Sequence, residues 1–191
     1  ALDMGAAGVI VPVVNSPEEA RAVVKAAKFP PLGGRSYGGR RPIDRIGRNY
    51  SDHANEEVLL VVQIESPEAI ENADQIAATP GVDALFLGPD DVMLRRGFSM
   101  TAPRSKETLG KDLEAVVKAC QKHGKFSVGI GMNAEMLKLS LSMGHHMIVG
   151  GGDVPFLANG SKQMSADARE IIKGIPVKGK PAAKEASASP Y

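Results

Sequence analysis

A (β/α)8-type barrel, represented by its last five β/α units, is the fold class that the sequence predicts. Three observations lead there. Short β-branched and aliphatic runs alternate with helical patterns along most of the 191 residues. The runs are almost continuously apolar, as strands of a parallel sheet covered on both faces must be. A complete barrel takes about 250 residues, roughly 31 per unit, so five units need about 155, which matches the span from Gly5 to Lys173. About three units are then expected to be missing before Ala1. The competing arrangement is an open doubly wound sheet, but no G-x-G-x-x-G follows the first strand and no Gly-Lys-Ser/Thr marks a phosphate loop.

The elements follow in order. Residues 8–14 (G-V-I-V-P-V-V) read as a buried strand and 16–28 as a helix, opened by Ser16 as N-cap, Pro17 in the first turn and Glu19 as capping-box partner. A Gly- and Arg-rich loop is expected over 30–55. Strand 59–65 precedes a helix starting at Ser66-Pro67-Glu68, strand 84–87 leads into a polar excursion, and a helix spans about 106–123. Strand 126–130, helix 134–143, strand 147–149 and a helix over about 166–173 complete the ordered part. One barrel domain is expected over 1–175, with Val9, Val11 and Val61 on its inward face. The small, charged, Pro-interrupted stretch 176–191 reads as a disordered tail.

Composition narrows the function classes. Lys+Arg 23 against Asp+Glu 22 gives a formal net charge of +1, so no global charge argues for nucleic acid or an anionic membrane. Apolar runs fall short of the roughly 20 residues of a membrane helix. The single cysteine, Cys120, excludes an internal disulfide, suits the cytoplasm and lies on an apolar helix face as an inert core thiol.

Chemistry is expected at the C-terminal ends of two successive strands. Side chains alternate along L-L-V-V-Q-I-E, so Val61, Gln63 and Glu65 share one face, and the last two are polar where a core strand should be apolar. The next strand runs into Leu87-Gly88-Pro89-Asp90-Asp91. In a parallel barrel this end carries the active site. Carboxylates brought together there repel unless one is protonated or a cation lies between them. Oxygen-only ligands point to Mg²⁺ or Mn²⁺. The plainer alternative makes Glu65 a helix cap and Asp91 the start of a helix.

These residues also carry a family resemblance. The segments G-A-A-G-V-I-V-P-V-V, P-P-L-G-G-R-S-Y-G-G-R-R, V-V-Q-I-E-S-P-E-A-I-E-N and G-V-D-A-L-F-L-G-P-D-D resemble, in order, the HpcH/HpaI aldolases, the class II pyruvate-dependent aldolases. The resemblance implies a phosphoenolpyruvate/pyruvate-superfamily barrel, homo-oligomeric in full-length form. The implied reaction is metal-dependent cleavage of 4-hydroxy-2-oxo acids to pyruvate and an aldehyde. It makes Glu65 and Asp91 the metal ligands, with Co²⁺ a further option for the ion. Gln63, Gly88, Asp90 and Asp91 become substrate-binding residues, and Asp3 the support of a histidine base. The family usually has a small residue where Asp90 stands, so a carboxylate there alters substrate charge preference or competes for the metal.

None of the four histidines fits that base. His53 is expected in a polar loop, His123 at a helix C-terminus, and His145 and His146 just before a strand, so the base is expected to precede Ala1 and the 191 residues alone to be inactive. The arginines of the Gly-rich loop suit an anion or simple solvation; Gly150-Gly151-Gly152 suits an anion or a tight turn. Two other functions stay open: an acyl-CoA ester lyase of the same superfamily, and a non-catalytic barrel kept for oligomerisation or ligand binding.

Overall fold

A computed structural model of the chain describes residues 1–175 and Gly179. The expected disordered tail, 176–191, lies outside the described residues apart from that glycine. The described residues divide into two compact units, Ala1–Gly150 and the segment from Gly151 onward.

The first unit holds every strand. β1 (Gly8–Val11) is followed by α1 (Pro17–Ala27), α2 (Arg40–Ile46) and α3 (Ser51–Glu57). β2 (Leu59–Ile64) leads through α4 (Pro67–Glu71) and α5 (Ala73–Ala77) to β3 (Ala84–Leu87). α6 (Pro89–Arg95) and α7 (Lys106–Lys122) precede β4 (Phe126–Ile130), and α8 (Ala134–Ser142) precedes β5 (Met147–Val149). The strands pair in chain order and every pair is parallel; Gln63 lies beside Phe86 and Phe86 beside Val128. This is a half-barrel, the predicted fold class seen in part.

Alternation sorts the strand residues onto two faces. Leu60, Val62, Ile64, Leu85 and Leu87 pack with Val24, Ile76, Val116 and Cys120 on the helix-covered side. Val61, Ala84, Phe86 and Val128 form a separate cluster on the inner face. Val61 is inward as expected. Val9 and Val11 are not: they pack against the helix-side core, because they stand beside Leu60 and Val62 in register. The inner face of β1 carries Ile10 instead, half of whose surface is exposed. Cys120 is buried in the helix-side core, and burial pushes its thiol up to about 11, in keeping with an inert residue.

Several boundaries differ from the sequence reading. β1 stops at Val11 because Pro12 has no N–H for a ladder and Val13 turns to a positive φ of 56°. The Gly- and Arg-rich stretch forms two helices, α2 and α3. Apolar packing decides this: Tyr50 and Ala54 are buried with Phe29, and Tyr37 stacks on Tyr50 at 5.5 Å between ring centres. The helix after β2 breaks at Asn72, whose side-chain amide donates to Asn15 O at 2.8 Å. Ser16 caps α1 as expected by accepting from Glu19 N at 3.2 Å, while the Glu19 carboxylate takes the Asn15 amide at 2.6 Å. In the second unit the last helix, α9, runs from Asp153 to Gly174, well before the expected start at 166. Pro155 in its first turns is tolerated because early helical N–H groups need no intrahelical acceptor.

Two buried polar groups shape the first unit. The Lys28 side chain is 1% exposed, and its ammonium donates to Asn55 O at 3.0 Å, Val58 O at 2.6 Å and Asp83 Oδ2 at 2.9 Å. His145 is buried against β4, where a Cβ on Gly129 would lie 2.8 Å from its ring. Neither ring nitrogen has a hydrogen-bond partner among the described residues. Burial lowers the pKa of His145 below the ordinary histidine value, and His146 adds to the effect.

Lys28→Met should therefore strand two carbonyls and leave the Asp83 carboxylate with the Leu60 amide but no counter-charge, costing about 3 kcal/mol in urea unfolding. The unfolded chain binds the His145 proton more readily than the folded chain. The stability from its neutral ring is full above about pH 6.5 and is lost as pH falls below that. Urea midpoints measured on the two sides of that pH should separate for the native sequence and draw together for His145→Asn.

Candidate active site

At the end of β2, Gln63 and Glu65 continue the inner face that carries Val61. Glu65 is only 6% exposed, and its Oε2 accepts the Val13 amide at 2.9 Å. Val14 N donates to Gln63 O at 3.3 Å. Together these contacts hold the segment after β1, where Val13 is the one non-glycine residue with positive φ among the described residues. A β-branched residue there is strained, and the buried carboxylate is what holds it.

At the end of β3, Gly88 leads into Pro89, which opens α6 with Asp90 and Asp91 in its first turn. Gly88 is required by closeness rather than by its own dihedrals. A Cβ there would sit 2.5 Å from Glu65 Oε1 and 2.8 Å from Gln63 Nε2. Asp91 is half-buried and makes no ion pair among the described residues. Asp90 is exposed, and its Oδ1 accepts from Arg104 Nε at 2.9 Å and Nη2 at 2.7 Å.

These residues surround one cavity of about 450 Å³. Gln63, Glu65, Gly88, Asp90, Asp91 and Arg104 supply its polar wall, and Phe86, Ile130, Met132 and Met136 its apolar wall. Five of the residues singled out from the sequence thus line a single cavity. Arg104 was not anticipated: P-R-S-K before α7 carries no motif, and only the fold brings it back to Asp90. A second cavity, about 310 Å³, is lined by Leu2, Arg35, Arg45 and Tyr50 and lacks paired carboxylates.

The remaining candidates lie elsewhere. Asp3 sits in a turn before β1, where its Oδ1 accepts from Arg35 at 2.6 Å; it does not line the carboxylate cavity. None of the four histidines lines it either. His53 is in helix α3, not in a loop, and His123 bonds Asp74 at 3.0 Å. Two of the loop arginines are occupied locally: Arg35 also lies over the Phe29 ring at 4.6 Å, and Arg40 pairs with Asp44. A Cβ on Gly151 would strike the Phe156 ring, so close packing in the turn accounts for that glycine.

No group of three or more His, Cys, Asp or Glu among the described residues is arranged to hold a metal ion. Glu65 and Asp91 offer oxygen donors from two carboxylates, and Glu65 Oε1 has no hydrogen-bond donor among the described residues. Such a pair fits a hard divalent cation that completes its shell with water and substrate oxygens, as Mg²⁺ does. It does not fit a closed four-ligand zinc site.

The profile of the HpcH/HpaI aldolase/citrate lyase family matches residues 1–159. A hydroxypyruvate/pyruvate aldolase of Rhizorhabdus wittichii is 33% identical over 171 residues, covering 89% of this chain and 68% of that protein. A 2-dehydro-3,6-dideoxy-6-sulfogluconate aldolase of Pseudomonas putida is 34% identical, covering 100% of this chain and 71% of that protein. The crystal structure of an HpcH/HpaI aldolase from Desulfitobacterium hafniense superposes with a TM-score of 0.73 at 30% identity, covering 92% of this chain and 67% of the other. The chain thus spans about two thirds of the length of these relatives.

Gly88→Ala tests the packing of the site. The added methyl must displace the Glu65 or Gln63 side chain, and overpacking of this kind costs about 1–3 kcal/mol. Urea denaturation should show that loss, and Gly97→Ala, where φ is +75° and an added Cβ would meet nothing within 4 Å, provides a backbone-strain comparison.

Proposed function

The chain belongs to the HpcH/HpaI aldolase/citrate lyase family, and on that premise we propose that it carries the cation- and pyruvate-binding part of a class II aldolase. The reaction is reversible aldol cleavage of a 4-hydroxy-2-oxo acid to pyruvate and an aldehyde. One observation supports this reading above the others: Gln63, Glu65, Gly88, Asp90 and Asp91 converge on one cavity at the C-terminal ends of neighbouring parallel strands.

In the proposed site, the carboxylates of Glu65 and Asp91 hold one divalent cation, Mg²⁺ or Mn²⁺. When bound, the ion supplies Lewis-acid stabilisation of negative charge on the 2-oxo oxygen. Glu65 is prepared for this task because its other oxygen is already fixed by the Val13 amide. Gln63 projects its amide beside Glu65 and orients the substrate's polar end. The backbone amides of Asp90 and Asp91 receive the substrate carboxylate. Gly88 gives these groups room, and Phe86, Ile130 and the two methionines exclude water from one wall.

Cleavage also needs a base for the C4 hydroxyl proton. The cavity residues identified above bind and polarise the substrate; they are not assigned that proton. Asp3 retains a proposed role beside a histidine base through Oδ2, which has no hydrogen bond among the described residues, while Oδ1 is taken by Arg35.

The test is made on the protein as the cell produces it. Asp91→Asn should reduce pyruvate release from a 4-hydroxy-2-oxo acid by at least about 10²-fold, with far-ultraviolet circular dichroism unchanged. Glu65→Gln should lose Mn²⁺, read by electron paramagnetic resonance. Native turnover of Asp91→Asn at saturating Mn²⁺ would remove Asp91 as a ligand and leave Asp90 as the candidate.

A further inference from the structure

Three carboxylates and one guanidinium line the cavity: Glu65, Asp90, Asp91 and Arg104. Their formal sum is −2, the charge that one divalent cation neutralises. Asp90 is adjacent in sequence to one ligand of the proposed ion and shares its cavity with both. Left unpaired, its carboxylate would be drawn toward the same cation or would recruit another.

Arg104 prevents that by its geometry. Its Nη1 donates to Met100 O at 2.8 Å and Ala102 O at 3.1 Å, which anchor the guanidinium to the segment preceding α7. The opposite edge, Nε and Nη2, converges on the single oxygen Oδ1 of Asp90. The guanidinium is planar and held from behind, so it fixes where the Asp90 carboxylate can point. Between an exposed carboxylate and a quarter-exposed arginine the pair adds little to stability. Its consequence is electrostatic and local to the cavity.

We propose that Arg104 is a positioning residue of this site. It holds the Asp90 carboxylate at the rim, outside the cation's shell, so that the cavity takes a single divalent ion and keeps a coordination position for the 2-oxo acid. This rests on the reading of Glu65 and Asp91 as the ligands. It also explains how an acidic residue is accommodated where the substrate's own carboxylate must arrive.

Mn²⁺ titrations of the native protein, Arg104→Ala, Arg104→Ala/Asp90→Asn and Glu65→Gln, followed by electron paramagnetic resonance with and without pyruvate, test it. The native protein should bind one Mn²⁺. Arg104→Ala should bind Mn²⁺ about tenfold more tightly or take up a second ion, and should weaken pyruvate about tenfold. Removing the Asp90 charge in the double variant should bring both values back to within about twofold of native, which a purely structural role for Arg104 would not do. An unchanged Arg104→Ala, or a double variant as impaired as the single one, overturns the proposal. Retention of Mn²⁺ by Glu65→Gln would instead overturn the ligand assignment, and a native protein that takes no Mn²⁺ would overturn both.

Discussion

Lys28 sends its ammonium to the N-terminal side of the sheet, where Asn55 O, Val58 O and Asp83 Oδ2 take its three hydrogens. The same Asp83 oxygen accepts the Leu60 amide at 2.7 Å. One charge therefore fixes the end of α1, the end of α3 and the starts of β2 and β3. Asn55 reinforces the junction by pairing its side-chain amide with both backbone groups of Phe29. The register set there decides which face of β2 looks inward. A slip of one residue would turn Gln63 and Glu65 toward the helices and Ile64 toward the cavity. The site is thus held in place from the far end of the strands.

At the near end the constraint runs in the opposite direction. Glu65 is buried, and one of its oxygens is committed to Val13, so the carboxylate shapes the chain leaving β1 as well as facing the cavity. Gly88 leaves that carboxylate just enough room. Three successive strand ends are interlocked, and none can shift without moving the others.

Much of this was legible in the sequence. The apolar runs marked all five strands, and the two polar residues breaking the alternation of β2 marked the cavity wall. What escaped was what depends on distant packing. Helices α2 and α3 arise because Phe29, Tyr37, Tyr50 and Ala54 meet, against the local bias of a Gly- and Arg-rich segment. The inward face of β1 was misassigned because a uniformly apolar strand carries no signal of which side is which. Helix α6 also escaped, read as part of a polar excursion, although Pro89 followed by two aspartates is a common helix opening. Arg104 was invisible because its partner lies fourteen residues away and no periodicity links them.

The order of the sheet has a bearing on how the chain is made. Each strand from β2 to β5 pairs with the one immediately before it in sequence. Among the described residues, a strand from β2 to β5 leaving the ribosome therefore finds its preceding partner already synthesised. Assembly can proceed vectorially, with each β/α unit laid against an existing edge. The closure of each step spans only one unit, which keeps the entropic cost of loop formation small. On such a route Lys28 is synthesised before Asp83, so its ammonium stays uncompensated until β3 arrives, and the first two strands become secure only when the third is added.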